Sequence, residues 1–472
     1  MTLADLSRRL ARAVPLLTRS DASVDAAPRP ETRPTVRPAT RPAASPAPRQ
    51  EVRESDRTGI VGAGFAAMRH RNYRLFWFGQ ITSLVGTWMQ SVSQPWLVLE
   101  LGGSPVELGA VLAMQFAPST FLAPLGGVIA DRVDKRRTLL VVQLAAMLQA
   151  AVLFGLAVSG VVEIWHILVL AAVLGMASAI EMPVRQAFAA ELVPDADLTN
   201  AIALNSASFN LSRVVGPAIA GLTIAAFGTA LNFGLNAVSY LAVIAGLLLI
   251  DPSRLRRLPR PDRFPSVRAS LAEGLRFARR VPSVFWPLVL LGGVATVAMN
   301  FQTLMPIYAR DALGFGSEGY GALFAAMGVG SLAGSLGLAF SARRRPMVRV
   351  IVIGGAVFLG LELLLALTAS PVVAFALVGG IGLASMLMVN TINVMIQNNV
   401  THELRGRVMS LYVTVFAGSA PIGGLLAGGV TQAWGPQAGF ALGAIIGSVI
   451  LAVCGWRLAS ARRSVAGRSA AA

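Results

Sequence analysis

The chain has 472 residues, of which 55% are hydrophobic and 13% are charged, about half the charged share of ordinary soluble domains. A soluble protein of this length needs more charge to cover its surface, so the composition excludes that class and indicates an all-α membrane protein. The single cysteine, Cys454, excludes an intramolecular disulfide and a cysteine-based metal site.

In chain order, the first segment is 1–64, which is rich in Arg, Pro and Ala and whose stretch 29–57 offers no apolar face. This composition predicts a disordered cytoplasmic extension. Long apolar runs follow, each near the roughly 20 residues that cross a bilayer, with Gly- and Pro-containing breaks between them. They predict 12 transmembrane helices at 75–99, 106–130, 138–159, 164–189, 200–227, 230–250, 284–309, 318–341, 347–368, 371–399, 408–430 and 437–457.

These spans divide into two sets of six on either side of a longer connection. Local similarity between 192–201 and 400–407, and between 126–137 and 337–346, supports a 6+6 duplication, which is typical of transporters. The predicted domains are an N-terminal six-helix bundle at 65–250, a linker at 251–283, a C-terminal six-helix bundle at 284–458 and a basic cytoplasmic tail at 459–472.

The linker contains an amphipathic segment. Val267, Leu271, Leu275 and Ala278 share one helical face, and arginines occupy the other. This pattern predicts a helix that lies along the cytoplasmic membrane surface.

The positive charge is distributed by side of the membrane. With the N-terminus inside, 37 of the 40 basic residues fall in cytoplasmic segments, and the short loops alone give the same result. The positive-inside rule then places both termini in the cytoplasm. We expect the chain to cross the inner (plasma) membrane of the cell several times. Because orientation explains the net charge of +17, we expect no nucleic acid partner.

Polar side chains inside the spans concentrate on the first, fourth, seventh and tenth helices. Such groups are costly in hydrocarbon and usually face the interior of a bundle, so the pattern predicts a central polar cavity. The alternative is that these amides only join helices to one another. The candidate cavity residues are Gln90, Gln94, Gln115, Asn300, Gln302, Asn390, Asn393 and Gln397.

Arg213 lies near the middle of the fifth span, where an arginine without a partner is costly. The acidic candidate for a partner is Glu181 on the preceding antiparallel span, with Arg185 one turn further along. We therefore predict a buried Glu181–Arg213 pair whose carboxylate accepts a proton during transport. A fixed structural ion pair is the alternative.

The segment 126–137, GGVIADRVDKRR, closely resembles the loop motif between the second and third spans of the major facilitator superfamily. The resemblance implies a 12-helix, 6+6 pseudo-symmetric fold in which this loop latches the two halves in the outward-facing state. Asp131 would pair across the halves with Arg405 or Arg407, and Asp134 stands where the motif usually has Gly. The other residues that match the motif or extend it are Gly127, Arg132, Arg136 and Arg137.

A second motif lies in the fifth span. Residues 216–221, GPAIAG, resemble the antiporter motif G-P-x-x-G-G through Gly216, Pro217 and Gly221, with Ala220 in place of one glycine. The resemblance implies exchange of the substrate against another solute.

Four further segments resemble the branch of that superfamily that contains siderophore and macrolide exporters. They are 72–89, 198–221, 273–282 and 402–412. The resemblance covers 65–458 and implies a proton-driven exporter of a small amphipathic molecule, such as a siderophore, a macrolide-like drug or a related metabolite. We expect a monomer that needs no cofactor.

Two other functions remain open at this stage. One is a lysophospholipid flippase on the same fold, and the other is a non-transporting membrane scaffold or sensor that works through its N-terminal segment. An enzyme is not expected, since His70, His166 and His402 lie far apart and the sequence has no metal-spaced cluster or phosphate-binding loop.

Overall fold

The computed structural model describes residues 64–256, 267–341, 347–401 and 403–470. The side chains of 123–132, 267–270, 338–341 and 461–470 are outside this description, as is almost all of the predicted N-terminal extension. The described residues are helical apart from short connections, and none of them forms a β-strand.

The first half of the described chain contains six long helices. Pro95, Pro183 and Pro217 lie inside them, which membrane helices tolerate because neighbouring groups satisfy the freed carbonyls. The helices are α1 Arg71–Glu100, α2 Pro105–Arg132, α3 Lys135–Val158, α4 Ile164–Glu191, α5 Asp195–Phe227 and α6 Ala230–Leu249.

The second half is less regular. The seventh predicted span is broken at Asn300, and its last turn, Tyr308–Ala312, is a π-helix. The last helix is 66 residues long but has a non-helical kink at Gly435, where φ is 84°, so it contains two consecutive spans. The elements are α7 Val267–Arg280, α8 Pro282–Ala298, α9 Phe301–Ile307, α10 Ser317–Ser341, α11 Met347–Ala366, α12 Pro371–Asn398 and α13 Arg405–Ala470.

Nine helical stretches in the described part of the chain are long and apolar enough to cross a membrane. One of them, Arg405–Ser460, holds the two spans on either side of Gly435. The helices α1 and α2 coincide with the first two predicted spans but are not among the nine. The all-α membrane fold is therefore confirmed, and the number of 12 crossings stays a prediction.

Polar residues join the helices of the first half at its centre. The Gln90 amide donates to Gln149 of α3 at 3.2 Å, and the Asn236 amide of α6 donates to the Gln90 carbonyl at 2.7 Å. Gln90, Gln149 and Asn236 are all buried. Hydrogen bonds of this kind replace the hydrophobic driving force that is missing between helices in lipid.

The linker forms the predicted helix, α7, over its second half. Its buried residues are Gly274 and Ala278, and a Cβ on Gly274 would lie 3.0 Å from the Arg407 carbonyl oxygen of α13. Leu275 of the predicted apolar face is 37% exposed, and the position of this helix on the membrane surface stays a prediction. The helix turns its small residues toward α13 because only they permit so close an approach.

Candidate functional site

The two halves meet most closely near one end of the helices. We call this end, which contains the turn at 101–104, the turn side, and the opposite end, where α1 begins, the terminal side. On the turn side, a Cβ on Gly109 of α2 would lie 2.2 Å from the Gly424 carbonyl oxygen of α13. A Cβ on Gly428 would lie 2.4 Å from the Pro105 carbonyl oxygen. Glycine is therefore required for the backbones of α2 and α13 to touch here.

A second pair of helices, α5 and α10, closes the turn side in the same way. A Cβ on Gly221 would lie 2.9 Å from the Ser317 carbonyl oxygen and 3.1 Å from the Gly321 Cα. Beside this crossing, the rings of Trp96 and Tyr320 stack across the halves with centroids 5.5 Å apart. The turn side is thus sealed by backbone contacts and by a stacked aromatic pair.

Toward the terminal side, one stripe of α5 becomes progressively exposed. Ile202, Ser206, Phe209 and Arg213 follow one another at spacings of three or four residues, so they share a helical face. Arg213 is partly buried, Phe209 is 37% exposed and Ile202 is 57% exposed. The face therefore passes from a buried to an open environment, as expected for the wall of a cleft that opens on the terminal side.

The register of α5 shows where this face points. Gly216 packs on α1, since a Cβ there would lie 2.5 Å from the Trp88 Cβ. Pro217 packs on α10, since a Cβ on Gly321 would lie 2.6 Å from the Pro217 carbonyl oxygen. Arg213 precedes both by about one helical turn and lies between these two faces. The stripe thus faces the space between the halves, which we call the central cleft.

Three of the predicted cavity residues come together at the closed end of this cleft. Gln94 of α1, Gln115 of α2 and Gln302 of α9 line a cavity of about 20 Å³, together with Ser91. That volume holds about one water molecule. The neutral amide side chains of three helices, two from the first half and one from the second, therefore meet at the closed end of the cleft.

The remaining predicted cavity residues have other surroundings. Gln90 is buried and forms hydrogen bonds with Gln149 and Asn236 within the first half, and its amide also donates to Gln94 of the cavity at 3.4 Å. Asn300 donates to the Thr296 carbonyl oxygen at 2.8 Å and contacts α13 near Gly423.

The amides of α12 make contacts within the second half. Asn390 donates to Ser335 of α10 at 3.1 Å. Gln397 donates to Asn393, one turn earlier on the same helix, at 2.6 Å. Gln90 and Asn390 thus join helices to one another, and their assignment to the cavity stays a prediction.

The predicted contact between Glu181 and Arg213 is also wrong. Glu181 accepts from Arg185 at 3.3 Å, within the same helix and one turn away. Arg213 instead lies over the ring of Trp88, with its Cζ 5.8 Å from the ring centroid. Helical geometry brings residues at i and i+4 together at no further cost, so Arg185 outcompetes an arginine on another helix.

The loop after α2 is only partly described, since the side chains of Gly127, Asp131 and Arg132 lie outside the description. Asp134 caps α3 by accepting from the backbone N–H of Arg137 at 2.9 Å. Arg136 donates to the Leu247 carbonyl oxygen at 2.7 Å and so holds α6 within its own half.

The two arginines predicted to meet Asp131 lie at the start of α13. Arg407 forms a close ion pair with Glu273 of α7. Arg405 is exposed and has no ion pair among the described residues. The described ion pair of Arg407 therefore differs from the predicted one.

One buried carboxyl group was not predicted to be part of any site. Glu362 of α11 is fully buried, and neither of its oxygens has a hydrogen-bond partner among the described residues. Its neighbours on the same face of α11 are Phe358 and Leu365, which are also buried. The sequence signal was its acidic side chain in an apolar run.

A larger groove lies on the outside of the second half. It measures about 870 Å³ and runs between α11 and the second part of α13, past Arg349, Leu359 and Trp456. Its lining is mostly apolar and does not include the residues of the central cleft. Among the described residues, no group of three or more His, Cys, Asp or Glu side chains is placed to hold a metal ion.

Comparison with known sequences identifies one matching family and several relatives that are named as transporters, exporters or efflux pumps. The family model for transmembrane secretion effectors matches residues 62–465. The staphyloferrin A transporter of Staphylococcus aureus is 27% identical, over 75% of this chain and 88% of its own length. The multidrug efflux pump Tap of Mycobacterium tuberculosis is 30% identical, over 78% and 88%. The enterobactin exporter of Shigella boydii is 28% identical, over 81% and 92%.

Comparison with solved structures supports the same fold. A bacterial homologue of the human lysosomal transporter Spinster, in an inward-facing and unoccupied conformation, superimposes with a TM-score of 0.63 at 14% identity. The match covers 82% of this chain and 96% of the other. At this level of identity, the similarity concerns the fold alone.

Proposed function

We propose that this chain, which belongs to the transmembrane secretion effector family of the major facilitator superfamily, is a secondary active exporter. The relatives named above are multi-pass membrane transporters. Its substrate is a small amphipathic molecule: a siderophore, a macrolide-like drug or a related metabolite. Export proceeds by proton antiport and alternating access in the plasma membrane, with a monomer as the working unit.

The observation that carries this proposal is the one-sided central cleft. The glycine contacts at Gly109 and Gly221 seal the turn side, and the α5 stripe opens on the terminal side. Most arginines at the ends of the described helices, such as Arg71, Arg136 and Arg407, lie on the terminal side, so the positive-inside rule makes that side cytoplasmic. In this orientation, the cleft is open to the cytoplasm, from which an exporter takes up its substrate.

The same contacts support alternating access. The turn-side interface is made of small residues and one aromatic stack, and contacts of this kind break without leaving a buried charge unpaired. A rocking motion that separates α2 from α13 and α5 from α10 opens the cleft outward. Packed interfaces of this sort have discrete states and do not deform continuously.

For the coupling proton, we retain Glu181 as the acceptor, now paired with Arg185. Both side chains are about one-fifth exposed, so water reaches the carboxylate in this state. An outward movement that separates the pair would let Glu181 take up a proton. A reconstituted-vesicle assay tests this: Glu181→Gln should abolish proton-driven transport, whereas the exposed control Glu403→Gln should not.

For the loop after α2, we propose that Asp131 meets Arg405 when the cytoplasmic side closes. Arg407 pairs with Glu273 of α7 in the present state, whereas Arg405 at the start of α13 has no ion pair among the described residues and is the partner we propose. Asp131→Asn should therefore slow transport, because the outward-facing state loses one charge-assisted contact.

The function itself is tested in cells. A deletion strain is compared with the same strain carrying the wild-type chain, for tolerance to erythromycin and for secreted metabolites by mass spectrometry. We expect deletion to lower tolerance or to remove a secreted compound, and the wild-type chain to restore it. A deletion that changes neither result refutes the export proposal.

The scaffold alternative is separated by a truncation. A chain that lacks 2–62 but retains every helix described above should export at the wild-type rate. Loss of export from a truncated chain that still reaches the membrane would favour a function that resides in the N-terminal segment.

A further inference from the structure

The central cleft contains a cation that has no anionic partner among the described residues. Arg213 lies near the middle of α5, a helix of 33 residues, and is partly buried. It has no ion pair or hydrogen bond to any described side chain, and its only described contact of this kind is with the ring of Trp88. A cation near the middle of a membrane-spanning helix is costly unless an anion joins it.

The nearby charges do not supply that anion. Glu181 is the carboxylate of the preceding span that was predicted to pair with Arg213, and it pairs with Arg185 instead. The residues at the closed end of the cleft, Gln94, Gln115 and Gln302, are neutral amides. The described wall of the cleft therefore carries a positive charge with no counterpart.

The surroundings of Arg213 are aromatic. The ring of Phe209, one turn earlier on α5, meets the ring of Trp88 edge to face with centroids 5.7 Å apart. Trp88 and Phe209 offer an apolar wall, and the guanidinium offers a planar donor fork that matches a carboxylate bidentately. The contact with the Trp88 ring does not use the N–H groups of the guanidinium, so they remain available to an anion.

We propose that Arg213, Trp88 and Phe209 form the recognition site for a carboxylate group on the transported molecule. This inference rests on the proposed export function and narrows its substrate class to amphipathic organic acids. The carboxylate pairs with Arg213, and the adjoining carbon skeleton packs on Trp88 and Phe209. A cationic compound is disfavoured at this site, because it meets an uncompensated positive charge.

The test compares an aromatic acid with its neutral ester. Binding of 2-naphthoate and of methyl 2-naphthoate is measured by calorimetry on the purified full chain in detergent. We expect wild type to bind the acid at least tenfold more tightly than the ester, since a hydrogen bond to a charged group contributes about 1.5–3 kcal/mol. Arg213→Gln should remove that preference and leave ester binding unchanged.

Two further variants separate charge from shape. Arg213→Lys keeps the charge but loses the fork, so it should retain only part of the preference. The control Arg276→Gln removes an exposed arginine of α7 and should bind as wild type does. Equal binding of acid and ester by wild type, including no binding of either, overturns the proposal. So does an Arg213→Gln protein that keeps the preference or loses both ligands together.

An export measurement distinguishes this proposal from the function on which it rests. If wild type exports a compound and Arg213→Gln exports acids equally well, the carboxylate site is wrong and the exporter stands. If wild type exports nothing in the deletion strain, the export function itself fails, whatever the binding data show.

Discussion

Replacement of Gly109 by Ala should open the turn side of the transporter. The added Cβ would lie 2.2 Å from the Gly424 carbonyl oxygen, whereas ordinary contact begins at 3.4 Å. The neighbour is backbone, so it cannot swing away as a side chain does. At this crossing, α2 and α13 must therefore separate by about 1.2 Å, the difference between the two distances.

The energetic cost follows from overpacking. Forcing one extra carbon into a close-packed contact costs about 1–3 kcal/mol. In the turn-side-open state the two helices are apart, so the cost falls on the closed state alone. A differential free energy of that size shifts the equilibrium between the two states by a factor of about 5–150.

The shift is measured by electron–electron resonance between two spin labels. Val161 and Val372 are exposed on the turn side, one in each half, and are suitable labelling positions after mutation to cysteine. The only native cysteine, Cys454, is replaced by alanine in all chains. Gly109→Ala should add or enlarge a population at longer distance.

The matched control is Gly155→Ala. It adds the same atom to a helix of the same half, but nothing lies within 4 Å of the new Cβ. Its distance distribution should equal that of the parent chain. An unchanged distribution in a folded Gly109→Ala protein refutes the reasoning, because it would mean that the glycine contact does not hold the turn side closed.

Three further predictions concern stability, each measured by thermal unfolding of the purified chain in detergent. Asn236→Ala should destabilise the chain by about 1–3 kcal/mol, because the buried Gln90 carbonyl loses its donor; an unchanged midpoint would show that another group replaces it. Glu362→Met should raise the unfolding midpoint, since a carboxyl with no described hydrogen-bond partner is removed from an apolar site; a lower midpoint would reveal a partner for it. Arg256→Ala should lower the midpoint at neutral pH, because the hydrogen bond from Arg256 lowers the pKa of Asp195 below its ordinary value of 3.8. That contribution is present above pH 3.8 and is lost as the pH falls through the lower pKa of the folded state, so a difference that persists at lower pH would contradict it.

The positions of the helices were largely predictable, and their interruptions were not. The break at Asn300 and the π-helix at Tyr308–Ala312 interrupt a run that is uniformly apolar in sequence. Such interruptions are stabilised by neighbouring helices, as when the Tyr308 hydroxyl donates to the Thr368 carbonyl oxygen of the connection after α11 at 2.8 Å. A local pattern carries no information about that neighbour.

The candidate site was predicted in part. Gln94, Gln115 and Gln302 do meet in one cavity, because each is a polar group that hydrocarbon excludes. Gln90 lies one turn from Gln94 yet joins α3 and α6 within its own half. The free-energy cost of exposure to lipid is the same for both amides. It therefore does not distinguish an amide that lines a cavity from one that joins two helices.

The sequence alone predicts which segments cross the membrane, and its distribution of basic residues predicts the orientation of the chain. Both follow from local physics, since each backbone group in lipid must be satisfied within its own helix and arginines stay on the cytoplasmic side. The tertiary structure decides which charges pair and which end of the cleft is closed. Those outcomes depend on the rotation of each helix and on contacts such as Gly109 with Gly424, which join residues hundreds of positions apart. For that reason Arg213 proved to be a cation with no carboxylate partner among the described residues.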